Sequence, residues 1–360
     1  GAAELRVVAG GPEGAQRCWR LAAGGAGGGG GEEVLFFPGD AVPARALEPD
    51  APPRARELAA GGVAEQARAV QAAFARARGP EARVGVTAVV PSREEGLLAC
   101  FDHFLPDCRL TGEPGPPGGP GAARRSPSRS PSRSPSRSPR GSPGKAAGAR
   151  PGPRAAGQAA AVLRGCGAGG AAPVHVVGFS KGGAVVTQLL GEYAAHRGGG
   201  GGACGGGGGG AAAGARAFLD RIASFVYLDS GLNVRGAGAY LLDPGAAAGL
   251  ARGGPGGAPA RVELHGTARQ WRCGRRPWLG EEARECFRLL RGAGAPVSAE
   301  FYAMGGRGDL SAHLELLDAF RPGAQGRARE GGGPAAGAAA GPWGGGARQG
   351  RQGGARARPP

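Results

Sequence analysis

The sequence is short of lysine, methionine, aromatic side chains and long apolar runs. Only two of its 44 basic residues are lysines, Lys145 and Lys181, and the chain has one methionine. Aromatics make up 5% of residues, so no interleaved rings accompany the arginines to form the stacking platform of a single-stranded nucleic-acid binder. No apolar run reaches the roughly 18 residues a helical membrane span needs. The seven cysteines (18, 100, 108, 166, 204, 273 and 286) are odd in number and contain no C-x-x-C pair. They read as reduced thiols rather than as a disulfide framework. Cys100, His103 and Cys108 lie close together but supply three ligands without a partner cluster, so ordinary packing is expected there and no metal. The sequence starts at Gly1 without a methionine, and the visible N-terminus gives no reading of compartment.

Glycine and proline are what the chain has in excess. With 77 Gly and 31 Pro they account for three residues in ten, a level that excludes a single globule packed throughout. The net charge of +16 is equally uneven. Residues 114–154 hold nine basic side chains and no acid, and residues 321–360 hold seven with the single acid Glu330. The remaining 279 residues carry about +1, enough chain for a core and close to neutral. Four segments follow. Residues 1–110 and 155–320 are the two parts of one folded domain; 111–154 is a disordered insert with SPSR repeats; 321–360 is a disordered basic tail.

Where Gly and Pro thin, strands and helices alternate. Apolar or alternating runs predict strands at 4–10, 17–21, 32–40, 83–91, 173–177, 222–229, 261–266 and 297–303. The first two read as an antiparallel lead-in. Leu58, Val63, Ala67, Val70 and Phe74 place an amphipathic helix over 54–78, weakened by Gly61 and Gly62. Further helices are expected at 156–164, 182–195, 281–291 and 311–320, with a Gly-rich loop at 198–214 and an irregular stretch before 261. Strands alternating with helices, and continuously apolar strands such as VHVV and VTAVV, predict an α/β fold: a mostly parallel sheet covered on both faces.

The most informative residues are Gly178-Phe179-Ser180-Lys181-Gly182, a G-x-S-x-G match. In so Gly-rich a chain its letters alone are weak evidence. Its setting is specific: PVHVV precedes it and GGAVVTQLLGEY follows, the strand–turn–helix context a nucleophile elbow requires. Gly178 and Gly182 would remove side chains that collide across the turn. A serine hydroxyl needs a base. The order Ser, acid, His expected for such a sheet favours His313 in the stretch GGRGDLSAH, with His265 at a strand end as the alternative. Asp229, after FVYL, sits where α/β sites gather and inherits the acid role, since residues 267–280 contain no Asp or Glu. Asp309 is a further option for the acid. The oxyanion should meet the backbone amide of Lys181 and that of Gly39 or Asp40, because Pro38 has no N–H. The Lys181 side chain is expected to cap or solvate the helix start.

These pieces together, VLFFPGD, VVGFSKG leading into VVTQLL, FVYLDSG and the late histidine, resemble the eukaryotic chromosome 2 open reading frame 69 family over roughly residues 32–110 and 156–320. The resemblance implies an α/β-hydrolase fold, a mitochondrial location and a link to respiratory function. It carries the nucleophile onto Ser180 and the acid and base onto Asp229 and His313. The SPSR insert and the Gly runs depart from the family. No substrate is implied, and no cofactor is expected.

Three functional readings follow from the residues. The first is a serine hydrolase acting on an ester, thioester or amide of a small molecule or lipid acyl group. The second is a catalytically inactive hydrolase-fold scaffold binding a protein partner, motivated by the missing acid after RVELHG. The third is nucleic-acid association through the Arg-Ser repeat, against which the lack of any recognisable RNA-binding module counts.

Overall fold

The computed structural model describes residues 3–8, 15–23, 31–79, 81–95, 98–101, 104–105, 154–168, 170–198, 210–233, 235–236, 239–252, 258–304 and 308–323. His103, Cys108, nearly all of the Arg-Ser insert and the tail beyond residue 323 lie outside them.

In chain order the strands are β1 (Ala3–Val8), β2 (Gln16–Leu21), β3 (Glu32–Phe37), β4 (Val84–Val89), β5 (Arg93–Glu95), β6 (Leu98–Cys100), β7 (Val174–Phe179), β8 (Ile222–Leu228), β9 (Arg261–Thr267) and β10 (Val297–Tyr302). Eight of them form one sheet in the order β1-β2-β4-β3-β7-β8-β9-β10, while β5 and β6 pair separately. The β1–β2 and β2–β4 pairings are antiparallel and all those from β4 to β10 are parallel. Strands β4 and β7 are buried along their whole length, as parallel strands covered on both faces must be.

The helices are α1 (Pro53–Ala60), α2 (Gly62–Arg78), α3 (Arg154–Gly165), α4 (Gly183–Arg197), α5 (Gly210–Arg221), α6 (Pro244–Ala251), α7 (Ala268–Trp271), α8 (Pro277–Gly292) and α9 (Leu310–Ala319). The period-two alternation of the strands splits the core in two. Val34, Phe36, Val177, Phe179, Val226 and Leu228 face α1, α2 and α9. Leu35, Phe37, Val176, Phe225, Tyr227 and Leu264 face α3, α4, α5, α6 and α8. The free thiols of Cys18 and Cys166 touch at 3.3 Å within this second core, tying β2 to the end of α3.

Several elements differ from the sequence reading. The single helix expected over 54–78 is two helices, because Gly62 adopts φ +54°, a left-handed conformation that breaks the ladder. The Gly-rich stretch taken for a loop contains the start of α5, and α6 occupies part of the segment expected to be irregular. Both are rich in Ala and Gly, so no apolar periodicity marks them. What does mark α6 is its start: Asp243 accepts from the amides of Gly245 and Ala246, with Pro244 as the first helical residue.

An ion pair ties together three strands of the sheet. Arg20 of β2 meets Glu33 of β3 in a two-pronged contact of 2.6 and 2.8 Å and also donates to Thr87 of β4 at 3.0 Å. Gly85 makes room for it, since a Cβ there would stand 2.7–2.8 Å from the pair's atoms. The side chains are only 10% and 12% exposed, so removing one partner strands a poorly solvated charge. Arg20→Met is therefore expected to lower the unfolding free energy by about 3 kcal/mol in urea denaturation. Replacing both partners, Arg20→Met with Glu33→Leu, should recover most of that loss. A single variant within about 1 kcal/mol of wild type would contradict the assignment.

The connection from β3 to β4 runs through α1 and α2 on one face, and that from β4 to β7 through α3 on the other. Strand β3 is thus the point where the chain reverses its direction across the sheet. Crevices open at the carboxyl ends of strands at such a point. Here those ends are the loop Phe37-Pro38-Gly39-Asp40 and the turn at Ser180.

Candidate active site

Ser180 directly follows β7 and begins a tight turn, Ser180–Gly182, that leads into α4. Its φ is +52°, a left-handed value that non-glycine residues seldom adopt, and its side chain is half-buried at the strand's carboxyl end. The flanking glycines are sterically required. A Cβ on Gly178 would lie 2.6 Å from the Gly182 carbonyl oxygen, and one on Gly182 would lie 2.0 Å from that of Phe37. The loop after β3 rests against the serine: a Cβ on Gly39 would stand 2.5 Å from Ser180 Cβ and 3.1 Å from Ser180 Oγ.

Asp229 follows β8, has φ +43° and is fully buried. Its amide donates to the His265 carbonyl at 2.7 Å. Its carboxylate is held from two sides by Thr267, whose N–H donates to Oδ1 at 2.7 Å and whose hydroxyl donates to Oδ2 at 2.6 Å. Oδ2 also lies 2.8 Å from Nδ1 of His313. His313 belongs to the first turn of α9 and is 4% exposed. Its ring stacks on Phe179, the residue before Ser180, with centroids 4.3 Å apart and planes 27° from parallel.

The alternatives have other partners. Asp309 caps α9, its Oδ1 accepting from the Ala312 amide at 2.7 Å. His265 does not end its strand, because β9 continues to Thr267. Its Nδ1 lies 3.0 Å from the Tyr302 hydroxyl and its Nε2 3.5 Å from Glu263. Burial pushes the Glu263 carboxyl up, but His265, the Gly323 amide and Arg261 outweigh that and hold it below its ordinary value. Burial and the neighbouring Glu300 carboxylate raise the Tyr302 phenol.

The carboxylate that faces His313 thus comes from the end of β8, the strand beside β9. The ends of β8 and β9 lie side by side, with Leu228 opposite His265, so an aspartate one residue beyond β8 reaches the imidazole from α9. Thr267 was not anticipated. Its only trace in the sequence is a hydroxyl-bearing, β-branched residue at the end of the strand next to that of the acid.

The Lys181 side chain departs from expectation. It is 5% exposed rather than solvated, and its Nζ lies 3.1 Å from Asp40 Oδ2. Beyond Thr267, burial and Arg276 depress the pKa of Arg269, while Asp229 and Glu48 pull the other way. Among the described residues no group of three or more His, Cys, Asp or Glu is arranged to hold a metal ion, and no helix is long and apolar enough to cross a membrane.

A mostly parallel eight-stranded sheet with an antiparallel lead-in, helices on both faces and a G-x-S-x-G turn at the end of a central strand defines an α/β-hydrolase fold. Within that class the chain resembles the C2orf69 family. It is 28% identical over 145 residues to the mitochondrial protein C2orf69 homolog of Danio rerio, covering 40% of this chain and 37% of that protein. The match thus spans well under half of the relative's length. No protein-family model matches the chain.

Solved structures with a similar course include a thermostable esterase, at 12% identity and a TM-score of 0.45 over 88% of this chain and 60% of that one. The siderophore hydrolase EstA of Aspergillus nidulans shows 13% identity and a TM-score of 0.42 over 88% and 94%. A dienelactone hydrolase-like promiscuous phosphotriesterase from metagenomic libraries shows 15% and 0.38 over 89% and 96%.

Proposed function

We propose that the chain is a serine hydrolase that cleaves an ester, thioester or amide bond of a small-molecule or lipid acyl substrate. The observation that carries this reading is the buried 2.8 Å contact between Asp229 and His313, made where the imidazole stacks on the residue before Ser180. A carboxylate on Nδ1 fixes the tautomer that leaves Nε2 free to accept a proton. In the proposed mechanism Ser180 Oγ attacks the carbonyl carbon and His313 Nε2 takes the hydroxyl proton. The carbonyl oxygen becomes an oxyanion and accepts from the amides of Lys181 and of Gly39 or Asp40. Collapse expels the leaving group, which takes the proton from the imidazolium. A water molecule, deprotonated by the same base, then releases the acid and frees Ser180. Asp229 orients the ring and stabilises its charged form throughout.

The Asp229–His313 contact supports the hydrolase reading over the scaffold reading, because a carboxylate faces the histidine despite the gap after β9. The resemblance to the C2orf69 family supports action in mitochondria, with a role in respiratory homeostasis. A fluorophosphonate probe tests the chemistry: incubation with the folded protein and peptide mapping by mass spectrometry should find the adduct on Ser180. Absence of a Ser180 adduct at saturating probe would overturn the reading.

A further inference from the structure

The oxyanion site proposed above draws its two amides from separate segments: the turn after β7, at Lys181, and the loop after β3, at Gly39 or Asp40. Two walls from different parts of a chain stabilise an oxyanion only if their separation is held to a fraction of an ångström. Three contacts join them. The Phe37 carbonyl lies against the Cα of Gly182, where a Cβ would come within 2.0 Å of the oxygen. Gly39 lies against Ser180 in the same way. The third contact is between side chains: Lys181 Nζ to Asp40 Oδ2 at 3.1 Å. Ser180–Lys181 and Gly39–Asp40 therefore form a closed ring, with Gly39 packed on Ser180 at one side and the ion pair at the other.

The first two contacts are steric and set only how closely the walls approach. A repulsive limit does not stop them from drifting apart. The ion pair is the attractive member of the set. Lys181 has a side chain 6% exposed while Asp40 is 28% exposed, so the ammonium sits on the dry side and depends on its partner. A buried ammonium without an acid is strongly disfavoured, which makes separation of the walls costly.

We propose that Lys181 and Asp40 are positioning residues whose ion pair clamps the two walls of the oxyanion site together. This rests on the serine-hydrolase reading and adds to it a role for the side chains of Lys181 and Asp40, residues that reading uses only through their backbone amides. The pair does not touch the reacting atoms. Its effect is on the transition state, through the spacing of the donors.

The test is a double-mutant cycle of Lys181→Met, Asp40→Asn and the double variant. The rate of Ser180 labelling by a fluorophosphonate and the hydrolysis of p-nitrophenyl acetate are both followed. Each single variant should lower the labelling rate and kcat by about 30- to 100-fold, the loss expected when donors move by about 1 Å, with KM changed less than about threefold. The double variant should be no slower than the slower single one, because both remove the same clamp. A merely structural pair would lower the melting temperature and leave kcat of the folded fraction intact. Asp40→Asn preserves shape at a partly exposed position and decides the matter if Lys181→Met does not fold. Wild-type rates in the folded Asp40→Asn variant, or losses that multiply in the double variant, would overturn the clamp while leaving the hydrolase reading standing. A wild-type protein whose Ser180 is never labelled would overturn both.

Discussion

Asp229→Asn is expected to slow Ser180-dependent turnover by about 10⁴-fold while leaving the fold in place. The reasoning is a count of donors. Oδ1 accepts the Thr267 N–H, and Oδ2 accepts the Thr267 hydroxyl and faces His313 Nδ1. An asparagine has one oxygen and one NH2. Placing the NH2 toward the Thr267 amide would set donor against donor at a fully buried position. The oxygen therefore takes the Thr267 amide, and the NH2 points at Thr267 Oγ1 and His313 Nδ1. The hydroxyl can rotate to accept, but the imidazole can accept only by moving its proton to Nε2. In that tautomer Nε2 is a donor and cannot take the Ser180 proton. Stability should change little, because asparagine tolerates the φ of +43° better than most residues. The measurement is the fluorophosphonate labelling rate of wild type and variant beside their thermal unfolding. A rate within tenfold of wild type, with the fold intact, would remove Asp229 from the proposed mechanism.

Gly182→Ala should damage stability and activity together. The added methyl would be built 2.0 Å from the Phe37 oxygen, 2.8 Å from its carbonyl carbon and 3.0 Å from the Pro38 oxygen. All three are backbone atoms, so no side-chain rotation relieves the overlap. Relief comes only from moving α4 away from the loop after β3. Overpacking of this kind costs about 1–3 kcal/mol, and more where the neighbours are rigid. For a domain of this size that corresponds to a melting temperature lowered by about 2–12 °C. The same displacement separates the two walls of the proposed oxyanion site, so labelling of Ser180 should fall by about 10² in the molecules that remain folded. Gly191→Ala is the internal control. It lies within α4, where a Cβ would meet nothing within 4 Å, and the added methyl should be neutral or slightly stabilising. Equal behaviour of the two variants would show that the fit of the turn against the loop is not what the glycine serves.

Both predictions concern residues that differ in how they can be read. Gly178 and Ser180 are legible because the constraint on them is local. A serine with φ near +50° between a strand and a helix brings Gly178 against the Gly182 carbonyl, where only glycine fits, whereas Gly182 is itself constrained by the Phe37 and Pro38 carbonyls of the loop after β3, which the motif does not contain. The split between α1 and α2 was half-legible for a similar reason. Gly61 and Gly62 signalled weakness, but the left-handed φ of Gly62 that ends one helix and begins another is a choice glycine permits rather than dictates. Helices α5 and α6 were illegible because Ala and Gly carry almost no pattern of burial.

The sequence by itself determined the alternation of strands and helices, the turn that presents Ser180, and the confinement of most of the net positive charge to residues 114–154 and 321–360. These are properties of neighbours along the chain. The tertiary structure alone decided which acid faces which histidine. His313 and Asp229 are 84 positions apart, and their contact exists because β8 and β9 end side by side beneath the start of α9. Thr267 joins them for the same reason, as does Asp40 on Lys181 through the adjacency of β3 and β7. The scarcity of lysine had no meaning along the chain. In the fold, one of the two lysines is the buried cation beside Ser180. Spacing cannot report such contacts, because strand order brings the ends of distant segments within hydrogen-bond reach, and strand order is settled by the packing of the whole sheet.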